Sequence, residues 1–318
     1  MTIEKIFLQV TENKEPQQLY QPIQYILMQS GKRLRPYLVL LGTELFNGNK
    51  EKVLPIAAAF EMLHNFTLIH DDIMDNAPIR RGKETIYKKW NSNIAILSGD
   101  ALATMALQQL LTVDIDNDRR TEIISLFAQT SLEVCEGQQY DLNFETSENV
   151  SIDDYFTMIR LKTAVMLAGC LKAGAIFAGA DNLAQNNLYQ FGIHLGLAFQ
   201  LKDDLLDIYA NHKVFGKMKG LDIKDNKKTY LYLRALQDAS AEDKAVLQQL
   251  FTVSNITFEE KLEKTIALYE KYFIKEKTEK VIAELVGKGI AILQKTATND
   301  KKKEELILYA KQLTNRDK

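Results

Sequence analysis

The sequence predicts an all-α protein. Apolar residues recur at helical spacing almost throughout the 318 residues, and no segment alternates apolar and polar residues between hairpin turns. Only 5 Pro and 15 Gly interrupt the chain. The predicted helices cover residues 17–29, 36–47, 51–75, 94–113, 118–145, 151–179, 183–210, 228–237, 241–252, 257–287 and 302–313.

No linker divides the chain. Its hydrophobic content of 46% is that of an ordinary globular protein, and no Ser/Gly/Pro-rich stretch is present. We therefore expect residues 1–318 to form a single helical domain, although the length alone would permit two. The net charge of -2 predicts no nucleic-acid partner, so any affinity for polyanions must come from local clusters of cations.

The sequence also indicates a compartment. The N-terminal residues mix acids and bases, and no run approaches the ~18 apolar residues of a membrane span. Cys135 and Cys170 lie far apart in apolar helical contexts, which is typical of buried thiols in a reducing environment. We expect a cytoplasmic protein without a transmembrane segment.

Two acidic motifs carry the chemistry. The pattern DDxxD occurs in HNFTLIHDDIMD and again in GLAFQLKDDLLD. Residues four apart share a helix face, so Asp71 and Asp75 are neighbours, and the same holds for Asp203 and Asp207. A single copy could be a solvated helix end. Each copy follows a strongly apolar run, where uncompensated carboxylates are costly, so the repetition favours a bound cation.

All-oxygen ligands suit a hard cation. Mg²⁺ takes one or two carboxylates together with waters and substrate phosphates, so we expect Mg²⁺ and a diphosphate. A di-iron bundle is the alternative, because Glu61 and His64 form one ExxH pair. That architecture needs a second pair, and neither His194 nor His212 has a Glu three residues before it.

Clusters of cations lie near both motifs. Each one alone is more typical of a solvated surface charge, but together they suit phosphate groups, which Arg can bind through two hydrogen bonds. We interpret the paired acids and bases as a site for two diphosphates. The cations are Lys32, Arg35, Arg80, Arg81, Lys162, Lys217 and Lys227.

These motifs resemble the trans-isoprenyl diphosphate synthases, also called polyprenyl synthetases. The matching segments are GKRLRP at 31–36, EMLHNFTLIHDDIMDNAPIRRGKET at 61–85, GDALA at 99–103, EGQQYDL at 136–142, KT at 162–163, FQLKDDLLD at 199–207 and GKMKGLDIKDNKKT at 216–229. Ser30 and Leu231 depart from a glycine and a proline that are common in the family. The resemblance implies one large helical bundle of the isoprenoid synthase type around a central apolar cavity, and a homodimer.

The resemblance also implies a role for each site residue. Asp71, Asp75 and Asp203 would ligate three Mg²⁺ ions per site, with Asp207 contributing indirectly. The allylic diphosphate would be neutralised by Arg80, Lys162, Lys217 and Lys227. Isopentenyl diphosphate would be held by Lys32, Arg35, His64 and Arg81. Thr163 and Gln200 would present oxygens to a carbocation.

The implied reaction follows from charge. Metal ions and cations stabilise the departing diphosphate, so the allylic C–O bond ionises. The alkene of isopentenyl diphosphate then attacks the cation, and the released diphosphate is the expected base for the proton that is lost. An apolar cavity is required because water would capture the carbocation.

Phe66 is the candidate for setting product length. It precedes Asp71 by five residues, roughly 7–8 Å along a helix, and could close the floor of the cavity. Ordinary core packing is the alternative for this ring. Thr67, one residue closer, is small. By resemblance, an aromatic residue here is typical of short-chain synthases that make C15 or C20 products.

Three other functions remain as alternatives. A longer-chain synthase (C25 or more) would use the same chemistry. A non-catalytic regulatory subunit would be expected to lack some of the aspartates or arginines, and none of the principal ones is missing. A class I terpene cyclase typically has an Asn/Ser/Glu second motif and needs no second diphosphate site, so both DDxxD motifs count against it.

Overall fold

The computed structural model describes residues 2–147, 149–210, 219–252 and 256–316. The all-α prediction is confirmed, and strands in the described part are limited to the hairpin of β1 Ile79–Arg80 and β2 Lys83–Glu84. A π-helical turn, Arg160–Ala164, joins α8 to α9. The helices are α1 Ile3–Thr11, α2 Gln17–Leu27, α3 Leu34–Glu44, α4 Leu54–Met74, α5 Ile86–Lys89, α6 Ser92–Leu111, α7 Asn117–Thr146, α8 Ile152–Ile159, α9 Val165–Phe177, α10 Asn182–Tyr209, α11 Leu221–Lys224, α12 Tyr230–Asp238, α13 Ala241–Leu250, α14 Phe258–Lys271, α15 Ile274–Gln294 and α16 Asp300–Asn315.

The predicted helices differ from those of the structure in several places, including the short helices α5 and α11 and the end of α15 at Gln294, none of which was predicted. The sequence predicted no helix before residue 17, but α1 begins after Thr2, whose hydroxyl accepts a hydrogen bond from the Lys5 backbone N–H. The predicted helix 257–287 is two helices, because Phe273 has a left-handed φ of +54° and separates α14 from α15. The predicted helix 151–179 is interrupted by the π-helical turn, a feature common at functional sites.

The chain forms two compact units. The first comprises Met1–Ser131, Met166–Tyr189 and Thr296–Glu304, and the second comprises Leu132–Val165, Gln190–Lys295 and Glu305–Lys318. The single-domain organisation of residues 1–318 stays a prediction.

In the first unit, α4 packs against α3 and α6. Apart from Glu61, the run from Ala57 to Leu63 is apolar, and it is buried almost completely, which anchors the helix before it reaches the first aspartate motif. Burying this many apolar side chains is the main stabilising contribution of the helix. The motif therefore starts from a rigid support.

In the second unit, α10 carries the second motif and buries Leu201 and Leu205 in an apolar cluster with Tyr155, Tyr230 and Tyr269. The π-helical turn passes very close to α7. A Cβ added at Gly137 would lie 2.2 Å from the Lys162 backbone nitrogen, so only glycine allows this approach.

The two cysteines were both expected to be buried, and the structure confirms this for one of them. Cys135 was expected to be buried and is exposed, because the core-facing side of its helix is occupied by the neighbouring Val134. Cys170 is buried as predicted, and burial raises the pKa of its thiol.

Helix α6 is long and apolar enough to cross a membrane by length and composition alone. Core helices of soluble proteins meet the same criterion, and α6 packs against α2 and α4. The absence of a membrane span therefore stays a prediction.

Candidate active site

The first aspartate motif lies at the end of α4. Its middle residue, Asp72, is 2% exposed and accepts a hydrogen bond from Arg80 Nε at 2.6 Å. Burial raises the pKa of Asp72 to about 6, although Arg80 opposes that shift. Asp75 is exposed at the C-cap of the helix, and Asp71 is half-buried. The two outer aspartates are therefore more accessible than the middle one.

The segment after α4 folds back on the motif as a hairpin. Arg81 and Gly82 form its two-residue turn, with φ values of +53° and +74°. A two-residue hairpin turn of the primed type needs positive φ at both positions, which explains the glycine. The hairpin directs Arg80 to Asp72, while the Arg81 guanidinium lies against Gly31, where an added Cβ would be 3.0 Å from Nη1.

Cations from two separate segments surround His64. Burial lowers the pKa of His64 well below its usual value, and the positive charges of Arg35 and Arg81 lower it further. The imidazole is therefore neutral at pH 7. The structure brings together these three of the four residues predicted for isopentenyl diphosphate, and Lys32 lies exposed just before α3, whose first turn carries Arg35. Such a cluster of positive charge favours an anionic ligand.

Arg33 has a structural role beside these cations, a role that the sequence did not indicate. It has a left-handed φ of +47°, forms a 2.7 Å ion pair with Glu61 and donates hydrogen bonds to the Leu27 and Gln29 carbonyls. These contacts hold the turn that carries Lys32. Glu61 is 2% exposed, so its ion pair with Arg33 is buried on the carboxylate side.

The second motif has a different set of neighbours. Asp204 is 5% exposed and accepts hydrogen bonds from the Tyr155 hydroxyl at 2.5 Å and from Gln200 Nε2 at 3.0 Å. Burial raises its pKa to about 7. Gln200 Oε1 accepts a 3.0 Å bond from the Thr163 hydroxyl. Thr163 and Gln200, both predicted for the site, are therefore in direct contact.

The outer aspartates of this motif also have partners. Asp203 is partly exposed and forms an ion pair with Arg316 near the end of the chain. Asp207 accepts backbone hydrogen bonds from Leu221 at 3.2 Å and from Asp222 at 3.1 Å, and so caps the short helix α11. The indirect contribution of Asp207 to Mg²⁺ binding stays a prediction.

A cavity of about 110 Å³ lies beside this motif in the second unit. Lys162 Nζ, at its wall, forms a 2.6 Å ion pair with Asp141. Burial, followed by the charges of Asp204 and Asp207, raises the pKa of Asp222 well above its usual value. The cavity is lined by Asp141, Tyr155, Lys162, Thr163, Gln200, Asp204, Asp222, Asn226 and Lys227, among others.

Several of these lining residues were missed in the sequence. Asp141 and Asp222 lie within the quoted segments EGQQYDL and GKMKGLDIKDNKKT, so their motifs were seen but no role was assigned to them. Tyr155 carried no signal, because only its contact with Asp204 reveals a function. The predicted Lys217 lies outside the described residues.

Phe66 is half-buried on α4 and precedes Asp71 by more than one helical turn. Its ring packs edge-on against His70, with 4.8 Å between the ring centroids. Thr67 donates a 2.8 Å hydrogen bond from its hydroxyl to the His64 carbonyl, which turns its polar atom toward the helix backbone.

The described residues contain no group of three or more His, Cys, Asp or Glu side chains arranged as a complete metal centre. Mg²⁺ does not need one, since it takes one or two carboxylates and completes its shell with phosphate oxygens and water. Within the first unit Asp71 and Asp75, and within the second unit the partly exposed Asp203, are carboxylates of the kind that Mg²⁺ takes.

A family model described as polyprenyl synthetase matches residues 16–269. The chain is 38% identical over 245 residues to geranylgeranyl diphosphate synthase of Methanosarcina mazei, which covers 77% of this chain and 74% of that protein. It superposes on a crystal structure of geranylgeranyl pyrophosphate synthase with a TM-score of 0.92 and 40% identity, covering 99% and 98% of the two chains.

A second similar structure contains ligands. It is geranylgeranyl pyrophosphate synthase from Corynebacterium glutamicum complexed with isoprenyl diphosphate and magnesium, with a TM-score of 0.88, 27% identity and coverage of 99% and 96%. The family match spans most of the chain, including both aspartate motifs and the cation clusters beside them, and the chain therefore belongs to the polyprenyl synthetase family.

Proposed function

We propose that this protein condenses isopentenyl diphosphate with an allylic diphosphate, head to tail, to make an all-trans short-chain prenyl diphosphate and release diphosphate. One observation carries the proposal. Each unit holds a DDxxD motif whose middle aspartate is buried and anchored, close to separate cations suited to phosphate. A site that joins two diphosphate substrates needs both kinds of group.

The carboxylates of Asp71, Asp75 and Asp203 would hold Mg²⁺, and we expect three ions per site. Bound Mg²⁺ supplies electrostatic stabilisation of the negative charge that develops on the departing diphosphate. Asp207 contributes by holding α11, and Arg80 by its contact with Asp72.

The remaining residues bind the substrates. Lys162 and Lys227 line the cavity and neutralise the allylic diphosphate, with Lys217 as the third predicted lysine. Thr163 and Gln200 present oxygens to the carbocation from the same wall. Neutral His64 offers isopentenyl diphosphate a hydrogen bond, while Lys32, Arg35 and Arg81 offer charge.

We further propose a C20 product, with C15 as the next choice. The support is the half-buried ring of Phe66 braced by His70, and the similarity to synthases named for geranylgeranyl diphosphate. A ring five residues before Asp71 on α4 would stop the growing chain by steric contact.

The reaction is tested by incubating the purified protein with Mg²⁺, labelled isopentenyl diphosphate and C5, C10 or C15 allylic primers. Products of C15 or C20 are expected. Products of C25 or more would retain the chemistry and discard Phe66 as the stop. A complete lack of elongation with every primer would favour the regulatory-subunit alternative.

A separate variant tests the proposal on product length. Phe66→Ala removes the ring, so the main product should lengthen by at least one C5 unit, as read by chromatography of the dephosphorylated products. Thr67→Ala is the matched control, because Thr67 is already small, and it should leave the product unchanged. An unchanged distribution in Phe66→Ala would mean that the ring is ordinary core packing.

We also propose a homodimer in the cytoplasm. Ile96, Leu107 and Leu111 are exposed on one face of α6, and Leu97 is exposed beside them. Exposed apolar side chains at this density are typical of an interface with a partner. Sedimentation of the purified protein at twice the monomer mass is expected, and a stable monomer would contradict the proposal.

A further inference from the structure

Lys261 on α14 is a buried lysine that neither the sequence motifs nor the proposed mechanism uses. It is 7% exposed, and burial lowers the pKa of its ammonium group. Buried lysines normally pair with a carboxylate. Lys261 Nζ instead donates hydrogen bonds to two uncharged oxygens, the Ile223 carbonyl and Asn226 Oδ1, both at 2.5 Å. The Phe251 ring lies 4.8 Å from the ammonium.

Both acceptors belong to the loop from Gly220 to Thr229, which follows the second aspartate motif. Gly220 has a left-handed φ of +74°, and an added Cβ would lie 2.4 Å from Leu262 Cδ1. The loop therefore rests directly on α14, beside Lys261.

The loop positions Lys227 at the cavity. Asn226 on one side is held by Lys261. Lys228 on the other side donates hydrogen bonds to the Phe144 and Ser147 carbonyls at the end of α7. The backbone N–H of Lys227 donates to the Asp222 carbonyl at 2.8 Å. Lys227 is thus fixed from both neighbours, and its side chain lines the cavity with Lys162.

We propose that Lys261 is a positioning residue for the allylic diphosphate site, and that it acts by fixing the loop that carries Lys227. The inference rests on the proposed function, in which Lys227 neutralises this diphosphate. An ammonium group suits the position because its three donors can satisfy two oxygens at once. An apolar side chain of similar length would remove the donor to Asn226 Oδ1 and leave the Ile223 carbonyl with only its backbone donor, the Asn226 N–H at 3.3 Å.

The test compares Lys261→Met with Lys264→Met. Lys264 lies on the same helix, is 53% exposed and pairs with Glu260, so it controls for losing a lysine from α14. Lys261→Met should raise the KM for the allylic diphosphate about tenfold, as expected for losing two buried hydrogen bonds. The KM for isopentenyl diphosphate should stay unchanged, and Lys264→Met should alter neither constant.

Hydrogen exchange supplies a readout that does not depend on activity. Amides of residues 221–227 should exchange faster in Lys261→Met than in Lys264→Met, while α4 and α6 keep their protection. Asn226→Gly removes one acceptor at a left-handed position and should shift the same constants by a smaller factor. This variant carries the test if Lys261→Met does not fold.

The outcomes separate this inference from the proposed function. If Lys227→Ala raises the KM for the allylic diphosphate and both Lys261→Met and Asn226→Gly leave it unchanged, the positioning role is wrong and the proposed function stands. If Lys227→Ala leaves the KM for the allylic diphosphate unchanged, the loop is not part of the diphosphate site. The positioning role of Lys261 and the role proposed for Lys227 are then both wrong. An equal rise in both KM values with a lower Tm would mean that Lys261 only stabilises the fold.

Discussion

The two DDxxD motifs have the same spacing, but their last aspartates have different surroundings. Asp75 is exposed at the end of α4 and is followed by a hairpin. Asp207 accepts two backbone N–H groups and caps α11. The spacing of the motif therefore puts its first and last carboxylates on one helix face. The segment that follows the motif decides which groups the last carboxylate contacts.

The middle aspartates are alike in burial and differ in partner. Asp72 pairs with a charged group, Arg80, whereas Asp204 accepts from the neutral Tyr155 and Gln200. The ion pair ties a basic hairpin to the first motif. The neutral network of the second motif continues through Gln200 to Thr163 in the π-helical turn. Burial raises the pKa of both carboxyl groups, and each is held by side-chain hydrogen-bond donors of its own unit.

The largest expected effect is on the first aspartate of each motif. Asp71→Ala and Asp203→Ala should each lower kcat by about a thousandfold or more, because each would remove a Mg²⁺ ligand worth several kcal/mol in the transition state. Both positions are partly exposed, so the free energy of unfolding should change by less than about 1 kcal/mol. Steady-state kinetics and urea unfolding measure the two quantities.

The control for this prediction is Asp118→Ala, an exposed aspartate in the first turn of α7, which should retain normal turnover. Near-normal turnover in either motif variant would exclude that aspartate as a metal ligand. Loss in only one variant would mean that the two motifs are unequal in catalysis as well as in structure.

Replacing the two middle aspartates should lower the stability of the protein by different amounts. Asp204→Ala leaves the buried Tyr155 hydroxyl and the Gln200 amide without an acceptor, so the free energy of unfolding should fall by about 2–3 kcal/mol. Asp72→Ala should cost only about 1 kcal/mol, because the partly exposed Arg80 guanidinium can turn to water. Urea unfolding measures both values, and the reverse order would contradict the comparison.

The smallest effect concerns the last aspartates. Asp207→Ala removes the cap of α11, a local loss of about 1 kcal/mol, and amides of residues 221–224 should exchange faster with deuterium. Asp75→Ala should leave these amides unchanged and acts as the matched control. Equal exchange rates in the two variants would mean that α11 is held without Asp207.

The sequence correctly predicted features that depend on residues close together in the chain. The apolar spacing predicted the helices around both motifs, and four-residue spacing placed Asp71 beside Asp75. The sequence did not predict the break between α14 and α15. The break depends on the left-handed φ of Phe273, and nothing in the spacing of residues 257–287 indicates that angle. The sequence also put Cys135 inside, although the helix face that carries it is exposed.

The sequence by itself determined the fold class, the two carboxylate pairs and the family. Each depends on spacings along one helix or on the order of motifs along the chain. Only the tertiary structure decided which aspartates are buried, which groups anchor them and how Lys261 meets its loop. The physical reason is distance along the chain: Tyr155 and Asp204 are 49 residues apart, and Lys261 and Ile223 are 38 apart. A hydrogen bond between such residues depends on packing, which no local pattern encodes.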